Sequence, residues 1–104
     1  PSSVLLITGI SDPSPMVKFL NKKGVEHIHL AYPDHHTFRT SDIQEIYKQK
    51  GKRILLTTEK DMTRLKPLIK GSDLYYLPIE MVFLYSSEKA VFEALILNKA
   101  TNKI

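Results

Sequence analysis

Two adjacent imidazoles, His35 and His36, stand between a carboxylate and a hydroxyl in Tyr32-Pro33-Asp34-His35-His36-Thr37-Phe38. A histidine near neutral pH can shuttle a proton or pair with a carboxylate, and Asp34 can fix the orientation of a neighbouring ring. The alternative is a solvated polar loop in which Asp34 caps a turn. A second polar block, Thr57-Thr58-Glu59-Lys60-Asp61, mixes hydroxyls, carboxylates and an amine. Lys60 can meet a phosphate without any metal, with Thr58 as a hydroxyl helper and the free amides of a helix start beside them. Carboxylates facing a phosphate would repel it, so Glu59 and Asp61 are expected to hold the loop, and Arg64 to matter less than Lys60 if it only pairs with Lys60's neighbours. The bland alternative is a strand end followed by a capped helix, with both acids opposing the helix dipole.

Each block follows an apolar run, and the runs imply the elements that position them. Val4 to Ile10 is apolar on both faces, as in a central parallel strand. Ser11-Asp12-Pro13-Ser14-Pro15 supplies caps and helix-start prolines; Met16, Phe19 and Leu20 form a buried stripe, and Gly24 stops the helix. A second strand runs from Val25 to about Tyr32, with His27 and His29 on one face as partly buried structural histidines. Thr40 or Ser41 then caps a helix with Ile43, Ile46 and Tyr47 inside; Ser41 and Gln44 have capping-box spacing, and Gly51 ends it. Arg53 to Thr58 is the third strand, followed by a helical stretch from about Lys60 to Leu65 that Pro67 kinks or restarts. Leu74 to Leu77 reads as a fourth strand, with a possible extension from Met81 to Tyr85. A last helix, capped by Ser86 or Ser87, carries Val91, Phe92, Ala94, Leu95 and Ile96, and the tail from Asn98 is polar and expected to fray.

Strand and helix thus alternate four times with short links. The expected fold is a three-layer α/β/α domain, Rossmann-like, with a mostly parallel sheet of four or five strands. Right-handed crossovers bring every strand's C-terminal end to one edge, where such folds keep their chemistry. That edge carries Thr8-Gly9, Asp34-His35-His36, Thr58-Glu59-Lys60-Asp61 and Pro78-Ile79-Glu80.

Composition narrows the classes. At 104 residues, 42% apolar and 25% charged, residues 1–104 suit one ordinary globular domain rather than a disordered chain. The net charge of +4 suits an anionic partner without choosing among phosphate, nucleic acid and an acidic membrane surface. With no cysteine, thiol chemistry, disulfides and cysteine-ligated zinc are excluded. No apolar run approaches the ~20 residues of a membrane-spanning helix. Ser11 to Pro15 sits where a mononucleotide fold places its phosphate loop, but no segment matches a phosphate-loop motif. Tyr75, Tyr76 and Tyr85 do not interleave with a basic patch, so they are read as core and interface aromatics and no nucleic-acid partner is expected. The chain opens Pro1-Ser2-Ser3 without an initiator methionine, which suggests a piece of something longer.

Taken together, Thr8-Gly9-Ile10-Ser11-Asp12-Pro13, the Asp34-His35-His36 loop, and Leu56-Thr57-Thr58-Glu59-Lys60-Asp61 followed by Arg64-Leu65 resemble one family in order and spacing. They are similar to the C-terminal part of tetraacyldisaccharide 4'-kinase, the lipid A pathway enzyme of Gram-negative bacteria, over nearly the whole chain. One departure is Ser11-Asp12, where the family often has Ala-Asn. The resemblance implies a two-domain kinase whose N-terminal domain, absent here, carries the phosphate loop and docks on the cytoplasmic face of the inner membrane. It also implies ATP, Mg2+ and a lipid disaccharide acceptor phosphorylated on its 4'-hydroxyl. The family's catalytic aspartate lies in the absent domain and acts with the first histidine of the Asp-His-His motif. That histidine matches His35, which would hydrogen-bond the base and tune its proton affinity, while Asp34 and His36 shape the motif. By itself the chain is then expected to be soluble and inactive. Two other readings stay open. One is an Asp-His-His phosphoesterase binding manganese, for which Asp12 is the single candidate carboxylate in the first loop. The other is a non-catalytic α/β interaction module.

Overall fold

The computed structural model describes residues 3–71 and 74–78, and the expected strand extension after Pro78 and the last helix lie outside them. Seven elements alternate: β1 (Ser3–Thr8), α1 (Ser14–Lys22), β2 (Glu26–Ala31), α2 (Thr40–Lys50), β3 (Ile54–Thr58), α3 (Glu59–Leu65) and β4 (Leu74–Leu77). The four strands form one parallel sheet in the order β2-β1-β3-β4. The chain therefore adds β2 on one side of β1 and returns to add β3 on the other, so the switch point lies between β1 and β3.

The alternation of side chains along β1 explains the three layers. Val4 and Leu6 face one way and pack with Met16, Phe19 and Leu20 of α1, together with Leu56, Tyr75 and Leu77. Leu5 and Ile7 face the other way, against Ile43 and Ile46 of α2, Leu65 of α3, Phe38 and Ile69. Leu5, Leu6 and Ile7 are fully buried, as a central strand covered on both faces requires. The edge strand β2 is only partly buried.

Several boundaries differ from the sequence reading, each for a local reason. β1 ends at Thr8 rather than Ile10, because Gly9 turns both of its peptide groups toward side chains and backbone of other segments. The N-cap of α2 is Arg39, not Thr40 or Ser41. The carboxylate of Asp42, at the third helical position, accepts the Arg39 N–H at 2.9 Å, so the reciprocal contact falls two residues earlier than the Ser41–Gln44 pair. Tyr47 is not inside: it is 43% exposed, and its hydroxyl accepts the Lys70 N–H at 2.9 Å. α3 begins at Glu59, one residue early, and ends at Leu65, before Pro67.

Candidate functional site

The histidine loop leaves β2 as a tight turn. Tyr32 N–H still reaches Thr8 C=O at 2.7 Å, and His36 N–H then closes on Pro33 C=O at 3.1 Å. Inside that turn His35 has φ +62°, the single non-glycine residue with positive φ among those described. Positive φ confined to the third turn residue is the type II pattern, which glycine or asparagine adopts with least strain. His35 N–H donates to Gly9 C=O at 3.1 Å, so the turn is fastened to the end of β1. Its imidazole is 78% exposed, with Nε2 3.4 Å from the Asp34 carboxylate.

The neighbouring imidazole does the opposite. His36 stacks on Tyr32 with centroids 4.8 Å apart and meets Phe38 edge-on at 5.1 Å. Its Nε2 lies 2.8 Å from Asp42 Oδ2. A carboxylate can only accept, so Nε2 carries the hydrogen. The His36 hydrogen bond, assisted by the Arg39 N–H, holds the Asp42 carboxyl below its ordinary value against the opposing effect of burial. Burial, then Asp42 and Glu45, raise the Tyr32 phenol. His36 anchors the loop, and His35 is the histidine it presents.

On the other side of β1, Asp61 is fully buried in the first turn of α3. Its Oδ2 accepts from Gly9 N–H at 2.8 Å and from the Thr58 hydroxyl at 2.8 Å. Thr58 Oγ1 in turn accepts the Asp61 N–H at 3.0 Å, capping the helix. The Arg64 guanidinium pairs with Asp61 Oδ1 and also donates to His36 C=O at 3.1 Å and Gly9 C=O at 3.4 Å. A Cβ on Gly9 would stand 3.2 Å from Asp61 Oδ1, so glycine permits this close approach. The expectation that Asp61 holds its loop agrees with these contacts. The condition for Arg64 to matter less than Lys60, pairing only with Lys60's neighbours, is not met: Arg64 bridges three segments. The signal was the Asp-x-x-Arg spacing, which puts both side chains on one face of a helix.

Thr58 and Lys60 separate in the same way as the two histidines. Thr58 is 5% exposed, and its hydroxyl both donates to and accepts from Asp61. Lys60 is exposed and lines, with Ile10, Thr58, Glu59 and Leu77, a shallow depression of about 240 Å³. β3 pairs with β1, and the block at residues 57–61 meets the histidine loop through Asp61, which binds Gly9, and Arg64, which binds His36 C=O. His29 fills a structural place, its Nε2 2.8 Å from the buried Thr8 hydroxyl, and burial followed by the nearby His27 lowers its pKa. Asp12 is occupied by its own helix start, accepting the Ser14 N–H at 3.1 Å and hydroxyl at 2.7 Å. Among the described residues no three carboxylate or imidazole groups converge as a metal site would need.

The family model described as tetraacyldisaccharide-1-P 4'-kinase matches residues 1–101. The tetraacyldisaccharide 4'-kinase of Flavobacterium johnsoniae is 42% identical over 82 residues, 79% of this chain and 24% of its own length. That of Flavobacterium psychrophilum is 36% identical, covering 93% of this chain and 27% of its own length. The Parabacteroides distasonis kinase is 37% identical, covering 99% and 30%. No solved structure matches the chain. The chain spans less than a third of the length of these relatives. A match running from before β1 to beyond β4 leaves one conclusion: this chain belongs to the tetraacyldisaccharide-1-P 4'-kinase family.

Proposed function

We propose that this chain is the histidine-bearing, C-terminal part of an ATP-dependent kinase that phosphorylates the 4'-hydroxyl of tetraacyldisaccharide 1-phosphate in lipid A biosynthesis. One observation carries the reading. His35 presents an exposed imidazole from a left-handed turn position, beside Asp34, at the C-terminal edge of a parallel sheet. A turn needing only positive φ is served at lower strain by glycine, so the imidazole itself is what that position supplies.

His35 then hydrogen-bonds a carboxylate base contributed by the rest of the protein and sets its proton affinity, with Asp34 orienting the ring and His36 holding the loop. Lys60 meets a phosphate of the acceptor, and Thr58 supports it by capping α3. The loop after β1 does not suit the phosphates of ATP. Pro13 and Pro15 lack N–H groups, and the Ser14 N–H is taken by Asp12. ATP with Mg2+ is therefore assigned to an N-terminal phosphate-loop domain outside this chain. Phosphoryl transfer depends on positioning and electrostatics, which closure of two such domains supplies. No described helix is long and apolar enough to cross a membrane, and contact with the cytoplasmic face of the inner membrane is assigned to that other domain.

The test is His35→Ala and His35→Gly in the full-length enzyme. Both are expected to lower kcat on the order of a hundredfold, with KM for ATP little changed. Glycine relieves the left-handed backbone, so its loss of activity comes without loss of stability. An unchanged kcat in both would return His35 to a solvated loop.

A further inference from the structure

The turn that presents His35 is held from across the sheet. β2 leads into it, and beside the His36–Asp42 contact to α2 it has fixed points in α3, on the far side of β1. Gly9 is the relay between them: its N–H donates to Asp61 Oδ2 at 2.8 Å, and its C=O accepts from His35 N–H at 3.1 Å and Arg64 at 3.4 Å. The other guanidinium arm of Arg64 donates to His36 C=O at 3.1 Å. One buried carboxylate and one forked cation thus fix the end of β1, which holds the His35 N–H, together with the carbonyl of the next residue, His36.

We infer that Asp61 and Arg64 are positioning residues for His35, setting the direction in which its imidazole leaves the sheet edge. This rests on the reading that His35 serves phosphoryl transfer. An ion pair made for stability alone would be satisfied by the Asp61–Arg64 contact. Here the same guanidinium also spans two carbonyls from two different loops, a geometry that the planar fork of arginine provides and the point charge of lysine does not. A misplacement of about 1 Å in a reacting group can cost on the order of a hundredfold in rate, so the geometry of this clasp matters to the reaction.

The experiment compares Arg64→Lys, His35→Ala and the double variant in the full-length enzyme, reading kcat, KM and thermal stability. Arg64→Lys keeps a cation beside Asp61 but loses the fork. It is expected to lower kcat on the order of tenfold to a hundredfold with KM for ATP nearly unchanged and the fold intact. In the His35→Ala background the same substitution should cost nothing further, because its effect runs through that histidine. Equal losses in both backgrounds, or an unchanged kcat in Arg64→Lys, would overturn the inference while leaving the role of His35 standing. An unchanged kcat in His35→Ala would instead remove the reading beneath it, and the inference with it. Should Arg64→Lys fail to fold, Asp61→Asn gives the same comparison, since it keeps an acceptor for Gly9 but loses the charge that aligns Arg64.

Discussion

At the scale of single residues, like side chains take unlike roles according to what surrounds them. His35 is exposed and His36 is enclosed by Tyr32, Phe38 and Asp42, although nothing in the dipeptide distinguishes them. Lys60 and Arg64 divide similarly. Lys60 is exposed beside a shallow depression, whereas Arg64 neutralises a fully buried carboxylate. Lys60→Ala in the full-length enzyme is therefore expected to weaken acceptor binding about tenfold, the loss of one charged hydrogen bond. It should leave the melting temperature in place, as exposed substitutions usually do. Arg64→Ala should lower stability by about 3 kcal/mol, because it leaves Asp61 buried without its counter-charge. Parallel melting curves and steady-state kinetics separate the two. If Lys60→Ala melts the domain and spares the kinetics of what stays folded, the block is purely structural.

At the scale of elements, the joint between the histidine loop and α2 is a single carboxylate. Asp42 accepts the Arg39 N–H that caps the helix and the His36 Nε2–H that anchors the loop. Losing a helix-start acceptor typically costs about 1 kcal/mol, and Asp42→Ala should do so at pH 7. The pH dependence has a definite sign. The Asp42 carboxyl is held below its ordinary 3.8 in the folded state, so its contribution is full above pH 3.8 and is lost as pH falls through the lower folded value. Urea denaturation of wild type and Asp42→Ala should accordingly show a gap at pH 7 that narrows below pH 3.8. A gap of equal size at both pH values would mean that the ionised carboxylate is not what stabilises the joint. The loop and the start of α2 form one cooperative piece on this account.

At the scale of the whole molecule, the two edges of the sheet differ in character. Lys22, Lys48 and Lys50 lie in the last turns of α1 and α2, where cations complement the helix dipoles. These ends gather at the N-terminal edge of the parallel sheet, opposite the edge that holds His35. Part of the chain's positive charge thus has a structural explanation before any partner is invoked. The sheet is buried on both faces, so the 104-residue chain is expected to fold by itself and give a cooperative melt. It is also expected to transfer no phosphate from ATP, since no segment of its sequence matches a phosphate-loop motif. Radiolabelled ATP with the lipid acceptor checks this, and measurable product from the pure chain would contradict the division of labour proposed for the full-length enzyme.

What the sequence by itself determined is local. Apolar runs and caps mark eight alternating elements, seven of them within the described residues, because burial periodicity and turn chemistry are carried by neighbouring residues. Met16, Phe19 and Leu20 were legible as a buried stripe for that reason, and the ordered Thr-Gly-Ile, Asp-His-His and Thr-Thr-Glu-Lys-Asp blocks were legible as a family. Only the tertiary structure decided the strand order, because no local pattern says on which side of β1 the chain adds its next strand. It alone separated the exposed histidine from the anchored one. It also brought Asp61 to a backbone amide 52 residues earlier in the chain, which turns a helix-start carboxylate into the clasp of a distant loop. Contacts of that range depend on how the layers pack, and packing is a property of the folded whole.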